Sequence, residues 1–130
     1  MSKLPHITES EWMIMHHLWE QSPLTAAQLV ERVQQDKKLV GTTVKTLLRR
    51  LIAKDAVGFT IDKSNAKLYY YFPLVAEHEC VVEKGKRFLS LYCDDDIEKM
   101  LTTFVDSAEL TDDEIDKLKS ILDRKKNKHA

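Results

Sequence analysis

Six side chains within nine residues, Thr42, Thr43, Lys45, Thr46, Arg49 and Arg50, bring hydroxyls and cations together at helical spacing. They lie largely outside the apolar stripe of Val44, Leu47, Leu48 and Leu51, so a helix here would bury one face and offer the other to solvent. Arg and Lys on such a face can pair with guanine or phosphate, and Thr can hydrogen-bond a base edge or pack on a thymine methyl. The bland alternative is a solvated charged surface. Against it stand the threonines: they are mediocre helix formers, and three close together on one face need a reason beyond solubility. Lys63 and Lys67 flank a polar stretch further on and are suited to phosphate.

The elements that must position these groups follow from pattern. Thr8-Glu9-Ser10-Glu11 is a capping box opening a first helix, which carries Trp12, Met15, His16 and Trp19 and runs to Glu20 before Ser22-Pro23. Thr25 caps a short second helix with Leu29, Val30 and Val33 inward, ending in the polar stretch Gln34 to Lys38. Gly41-Thr42-Thr43 caps the third. The β-branched and aromatic runs Val57–Ile61 and Leu68–Phe72, separated by Asp62 to Ala66 and closed by Pro73, predict a β-hairpin.

Beyond Val75 the pattern is helical again: one helix to about Tyr92, a second capped at Asp94-Asp95-Asp96 and ending near Val105, and a third opened by the capping box Thr111 to Glu114. The expected fold is therefore mainly α with a small β-hairpin. An N-terminal winged helix-turn-helix (1–74) precedes a C-terminal helical dimerisation region (75–130), with the joint around Pro73 to Ala76. In a winged helix the third helix enters the major groove while the hairpin lies along the backbone.

Charge supports that division. Residues 1–74 carry ten basic and seven acidic side chains, and residues 75–130 carry ten and fourteen, so the positive half is the candidate for phosphate. No apolar run approaches bilayer-spanning length and Met1 to His6 lacks the apolar core of a signal peptide, so a soluble, cytoplasmic protein without membrane insertion is expected. The two cysteines, Cys80 and Cys93, read as reduced thiols. With three glycines and no phosphate loop, nucleophile elbow or HExxH, no enzyme is expected and no cofactor is implied.

Ile7-Thr8-Glu9-Ser10-Glu11-Trp12 with Trp19, Leu24-Thr25-Ala26, Thr43 to Leu51, and Tyr71-Phe72-Pro73-Leu74 together resemble the penicillinase repressor family of the BlaI/MecI/CopY type. The resemblance covers nearly the whole chain. It implies a symmetric dimer on a palindromic double-stranded DNA operator overlapping a promoter. It places Thr42, Thr43, Lys45 and Thr46 at base edges and nearby phosphate, and Arg50 with the hairpin lysines on the backbone; Thr25 and Arg49 are assigned to the same DNA-contacting set.

The C-terminal half would supply the dimer interface: Phe88, Leu89, Tyr92, Ile97, Met100, Leu101, Phe104, Leu118, Ile121 and Leu122 give more apolar surface than three short helices can hide alone. A self-contained helical core is the alternative. For release, the family's copper-responsive branch uses paired Cys-x-Cys motifs, which are absent here; Cys80 and Cys93 are 13 positions apart and His78 stands two from Cys80, so no metal site is expected. The β-lactam-responsive branch is cleaved at an Asn-Phe bond through a membrane-bound sensor protease system. The corresponding bond here is Thr103-Phe104, with Thr in place of Asn. Readings left open are a copper-type repressor with altered sensing, and a winged helix used for protein binding without DNA.

Overall fold

The computed structural model describes residues 4–36 and 39–128. Lys37 and Lys38, where the second helix was expected to end, lie outside the described residues. The order is α1 (Glu9–Glu20), α2 (Ala26–Asp36), α3 (Gly41–Ala53), β1 (Val57–Ile61), β2 (Tyr69–Pro73), α4 (Glu77–Tyr92), α5 (Ile97–Ser107) and α6 (Asp112–Lys128). This is the mainly helical fold with one antiparallel hairpin that the sequence predicts.

Local chemistry sets most helix starts. Thr8 and Glu11 exchange bonds across the first turn of α1, Thr25 and Gln28 do so at α2, and Thr111 and Glu114 at α6. Each pair satisfies two backbone N–H groups that would otherwise be orphaned. Asp96 alone caps α5, accepting from Lys99 N at 3.2 Å, after Asp94 and Asp95 turn the chain in the left-handed region. At α3 the expectation needs correcting. The N-cap is Val40, which makes no side-chain cap bond, and Gly41, Thr42 and Thr43 are already inside the helix.

The chain divides into two compact units, residues 1–84 and 85–130, the boundary falling inside α4. In the first unit, Ile14, Met15 and Leu18 of α1 meet Leu29 and Val33 of α2 and Val44, Leu47, Leu48 and Leu51 of α3 in one core, sealed by Ile7, Leu24, Ala56, Val57 and Cys80. Strand β1 pairs with β2 in the register Val57↔Pro73 to Ile61↔Tyr69. On the other edge of β2, Leu24 and Tyr71 exchange both backbone bonds, at 3.0 and 2.8 Å. That one-residue bridge fixes the hairpin to the start of α2.

Two long-range ties hold α1. Glu11, 1% exposed, receives the Lys54 ammonium from just beyond α3, and Lys54 also donates to the His6 carbonyl at 2.8 Å. Burial alone would raise the Glu11 carboxyl, but the Lys54 ammonium and the Thr8 N–H and hydroxyl outweigh it and hold the group below its ordinary value. Trp19 donates its indole N–H to the Val75 carbonyl at 2.9 Å, and Lys84 reaches the Ile7 carbonyl. The compact unit therefore continues past Leu74 into the first turns of α4.

In the second unit, neither α5 nor α6 has a buried residue. Gly85 sits mid-helix in α4 with nothing within 4 Å of where a Cβ would stand. Gly85→Ala is expected to stabilise the protein by about 0.5 to 1 kcal/mol through helix propensity and lost unfolded-state freedom. Thermal unfolding would check this, and a lower midpoint would mean that the position needs glycine for another reason.

Candidate nucleic-acid interface

Helix α3 is a two-faced rod. Val44, Leu47, Leu48 and Leu51 are at most 5% exposed, which turns Thr42, Thr43, Lys45, Thr46, Arg49 and Arg50 outward, and all six are exposed. Positions 42, 45, 46 and 49 stack on successive turns, with 43 and 50 beside them. The Thr46 hydroxyl donates to the Thr42 carbonyl at 2.9 Å, so its proton is committed within the helix. Outward it presents lone pairs and a methyl group, a surface that accepts from a base amino group or packs on a thymine methyl.

The hairpin tip is stiffened by its own side chains. Asp62 Oδ2 accepts from Ser64 N at 3.0 Å and Ser64 Oγ at 2.7 Å, bonds that hold its carboxyl below the ordinary range. Asn65 Oδ1 accepts from Lys67 N, and Asp62 N donates to the Leu68 carbonyl. Lys63 and Lys67 stand exposed on this closed loop. Five cations on α3 and the hairpin tip, Lys45, Arg49, Arg50, Lys63 and Lys67, are thus in no ion pair among the described residues. The first turn of α3 also holds no acidic residue, so nothing on the helix offsets its positive N-terminal end.

Thr25 differs from the rest. It is half-buried and its hydroxyl accepts from Gln28 N at 3.2 Å, so it caps α2, and only its hydroxyl proton is free for an external acceptor.

The apolar residues assigned to self-association lie in the second unit, apart from this set. Tyr92 and Leu122 are more than 60% exposed, and Phe88, Ile97, Leu101, Phe104, Leu118 and Ile121 are also exposed; Leu89 and Met100 are half-buried. The Phe88 ring lies 5.7 Å from Phe104 and 5.1 Å from Tyr92. Val105, also exposed, extends the stripe and was missed, although its spacing of four from Leu101 was the available signal. Thr103 and Phe104 are both within α5, where the Thr103 hydroxyl donates to the Lys99 carbonyl at 2.7 Å.

The sequence model of the penicillinase repressor family matches residues 7–124. The chain belongs to the penicillinase repressor family. It is 29% identical over 124 residues to the methicillin resistance regulatory protein MecI of Staphylococcus aureus strain N315, covering 95% of this chain and 98% of MecI. To the penicillinase repressor of Bacillus licheniformis it is 25% identical over 128 residues, covering 98% of each. Among solved structures, the DNA-binding domain of the repressor BlaI matches 59% of this family member and 90% of its own chain, with a TM-score of 0.51 and 25% identity. Bacillus licheniformis BlaI in complex with the blaP half-operator matches 61% and 93%, at a TM-score of 0.52 and 24% identity. The family is one of repressors and not of enzymes, in line with the sequence expectation. Among the described residues no helix is long and apolar enough to cross a membrane.

Proposed function

We propose that this family member is a cytoplasmic, sequence-specific transcriptional repressor that binds a palindromic DNA operator as a homodimer. The observation that carries the reading is the cationic and threonine-bearing exposed face of α3, together with the exposed lysines of the hairpin tip. Thr42, Thr43, Lys45 and Thr46 read base edges; Arg49, Arg50, Lys63 and Lys67 hold phosphate; Thr25 adds a hydroxyl donor at the start of α2. This division matches what the groups can offer: the phosphate set is cationic, and the threonines carry small directional groups. BlaI bound to its half-operator gives the family precedent for DNA as the partner.

The homodimer rests on α5 and α6, which have no fully buried residue within one chain and leave most of their large apolar side chains exposed. Two readers related by a twofold axis select a DNA dyad. Release is assigned to loss of that dimer. Cleavage at Thr103-Phe104 by a membrane-bound sensor protease system would cut α5 and separate Ile97, Met100 and Leu101 from Phe104 and α6. The bond is helical, so a protease needs α5 to open locally first.

Selection from a pool of random duplexes at near-physiological salt tests the reading, and enrichment of a short palindrome is the expected result. A folded dimer that enriches no motif would favour a winged helix used for protein binding. On the selected operator, Lys45→Ala is expected to cost about 1 to 3 kcal/mol and to relax preference at one position. Lys63→Ala should weaken all sequences alike and reduce the salt slope by about one. Equal losses on every duplex would remove Lys45 from base reading.

A further inference from the structure

Helix α6 carries its apolar surface and its charge in an order that specifies a partner. Leu118, Ile121 and Leu122 are 41%, 49% and 61% exposed, Ile115 is half-buried, and no residue of the helix is fully buried. Among the described residues no other element packs extensively on it. Glu114 and Lys125 close the two ends of this stripe. Steps of three or four residues lead from Glu114 to Leu118, on to Ile121 and Leu122, and from there to Lys125, so all five lie on one face. The two charges stand 11 positions apart. That is about three turns, or roughly 16 Å along the axis, too far to pair within one helix.

Glu114 Oε1 accepts from Thr111 N at 3.1 Å and from the Thr111 hydroxyl at 3.0 Å, which leaves Oε2 for an outside donor and holds the carboxyl below its ordinary range. Lys125 is in no ion pair among the described residues, whereas Lys117 is paired with Asp113 at 3.1 Å. Acids near the start of a helix and bases near its end complement the dipole in any helix, but that does not require either to stand on the apolar face. A second α6 laid antiparallel, about a centre between Lys119 and Ser120, accounts for both. Glu114 then meets the partner's Lys125, Lys125 meets the partner's Glu114, and Leu118 lies against the partner's Ile121. A parallel partner would set like charge on like at both ends, which is unfavourable. The stripe is therefore self-complementary in one direction only, as a twofold interface requires.

We propose that α6 pairs antiparallel with α6 of a second copy of this chain, Glu114 and Lys125 fixing direction and register on either side of Leu118 and Ile121. This pairing rests on the homodimer reading and adds to it the contact that sets how the two chains meet.

Sedimentation of the full-length protein at about 50 mM salt, where screening is weak, tests the pairing. Glu114→Lys and Lys125→Glu are each expected to raise the dimer dissociation constant about tenfold, since two symmetry-related contacts turn from attractive to repulsive. Glu114→Gln, whose amide oxygen can still close the capping box, should raise it about threefold, whereas a parallel pair would tighten. Both reversals on one chain restore opposite charges and should recover most of the loss. Effects confined to one helix, from the lost box and the opposed dipole, would instead add. Wild type and the double variant, labelled differently, should each pair with itself and not with the other. A double variant weaker than either single one, single variants that dimerise like wild type, or free exchange between wild type and the double variant would overturn the pairing. Each of these leaves the homodimer in place, with α6 covered by another face of the partner. A wild-type protein that is monomeric at every concentration would remove the homodimer and the pairing with it.

Discussion

Aspartate at both Phe104 and Ile121 is expected to leave the protein monomeric and to lower operator affinity by about 10² to 10⁴, the range lost when two linked sites act singly. Both side chains are about half exposed within one chain, so neither substitution removes a residue from a monomer core. In the dimer each would place a carboxylate where an apolar partner should be, and an unpaired buried charge is strongly unfavourable. Sedimentation would give the oligomeric state, and titration of full and half operators would give the affinities. Half-site binding should be unchanged because the reader unit has its own core. A variant that stays dimeric would remove α5 and α6 from the interface.

Lys54→Met should strongly destabilise the N-terminal unit, although it changes a partly exposed side chain. Glu11 is 1% exposed, and the variant would leave it with only its bonds to Thr8. Removing one partner of a fully buried pair costs about 3 to 5 kcal/mol; Lys54 is 31% exposed, so about 2 to 3 kcal/mol is expected near neutral pH. The dependence on pH gives a second check. In the wild type the Glu11 pKa is below its ordinary 4.5, so its contribution is complete above that value and fades as pH falls through the lower folded one. Without Lys54, burial dominates and raises the group, so the deficit should shrink on acidification as Glu11 takes up a proton. Glu11→Gln in the Lys54→Met background should recover part of the loss, since an amide oxygen can still accept from Thr8 N. Denaturant melts across the acidic range would measure all three, and a deficit independent of pH would mean that the pair is not the cause.

What could be read from the sequence was what is local or periodic. The boxes at Thr8 and Thr111 each join residues three positions apart, and the stripe Val44, Leu47, Leu48 and Leu51 repeats with the helix, so the outward set on α3 followed by subtraction. The start of α3 misled because Gly41-Thr42-Thr43 has cap-like composition, yet the turn forms on backbone bonds alone, with Thr43 N and Val44 N both donating to the Val40 carbonyl. The bridge of Leu24 to Tyr71 is one residue long and carries no periodicity. Glu11 and Lys54 are 43 positions apart, and each alone reads as an ordinary surface charge.

That α5 and α6 have no fully buried residue within one chain bears on how steeply such a repressor would respond to its own abundance. Short helices with so little packed surface are marginal in water, so their full folding and the pairing of two chains would be coupled by mass action. Helix content should then rise with protein concentration. Where dimers are scarce, operator occupancy would follow the square of the monomer level. A modest fall in synthesis, or slow turnover by a protease acting on the open monomer, would then lift repression disproportionately, giving the cell a threshold without any ligand-driven change of shape.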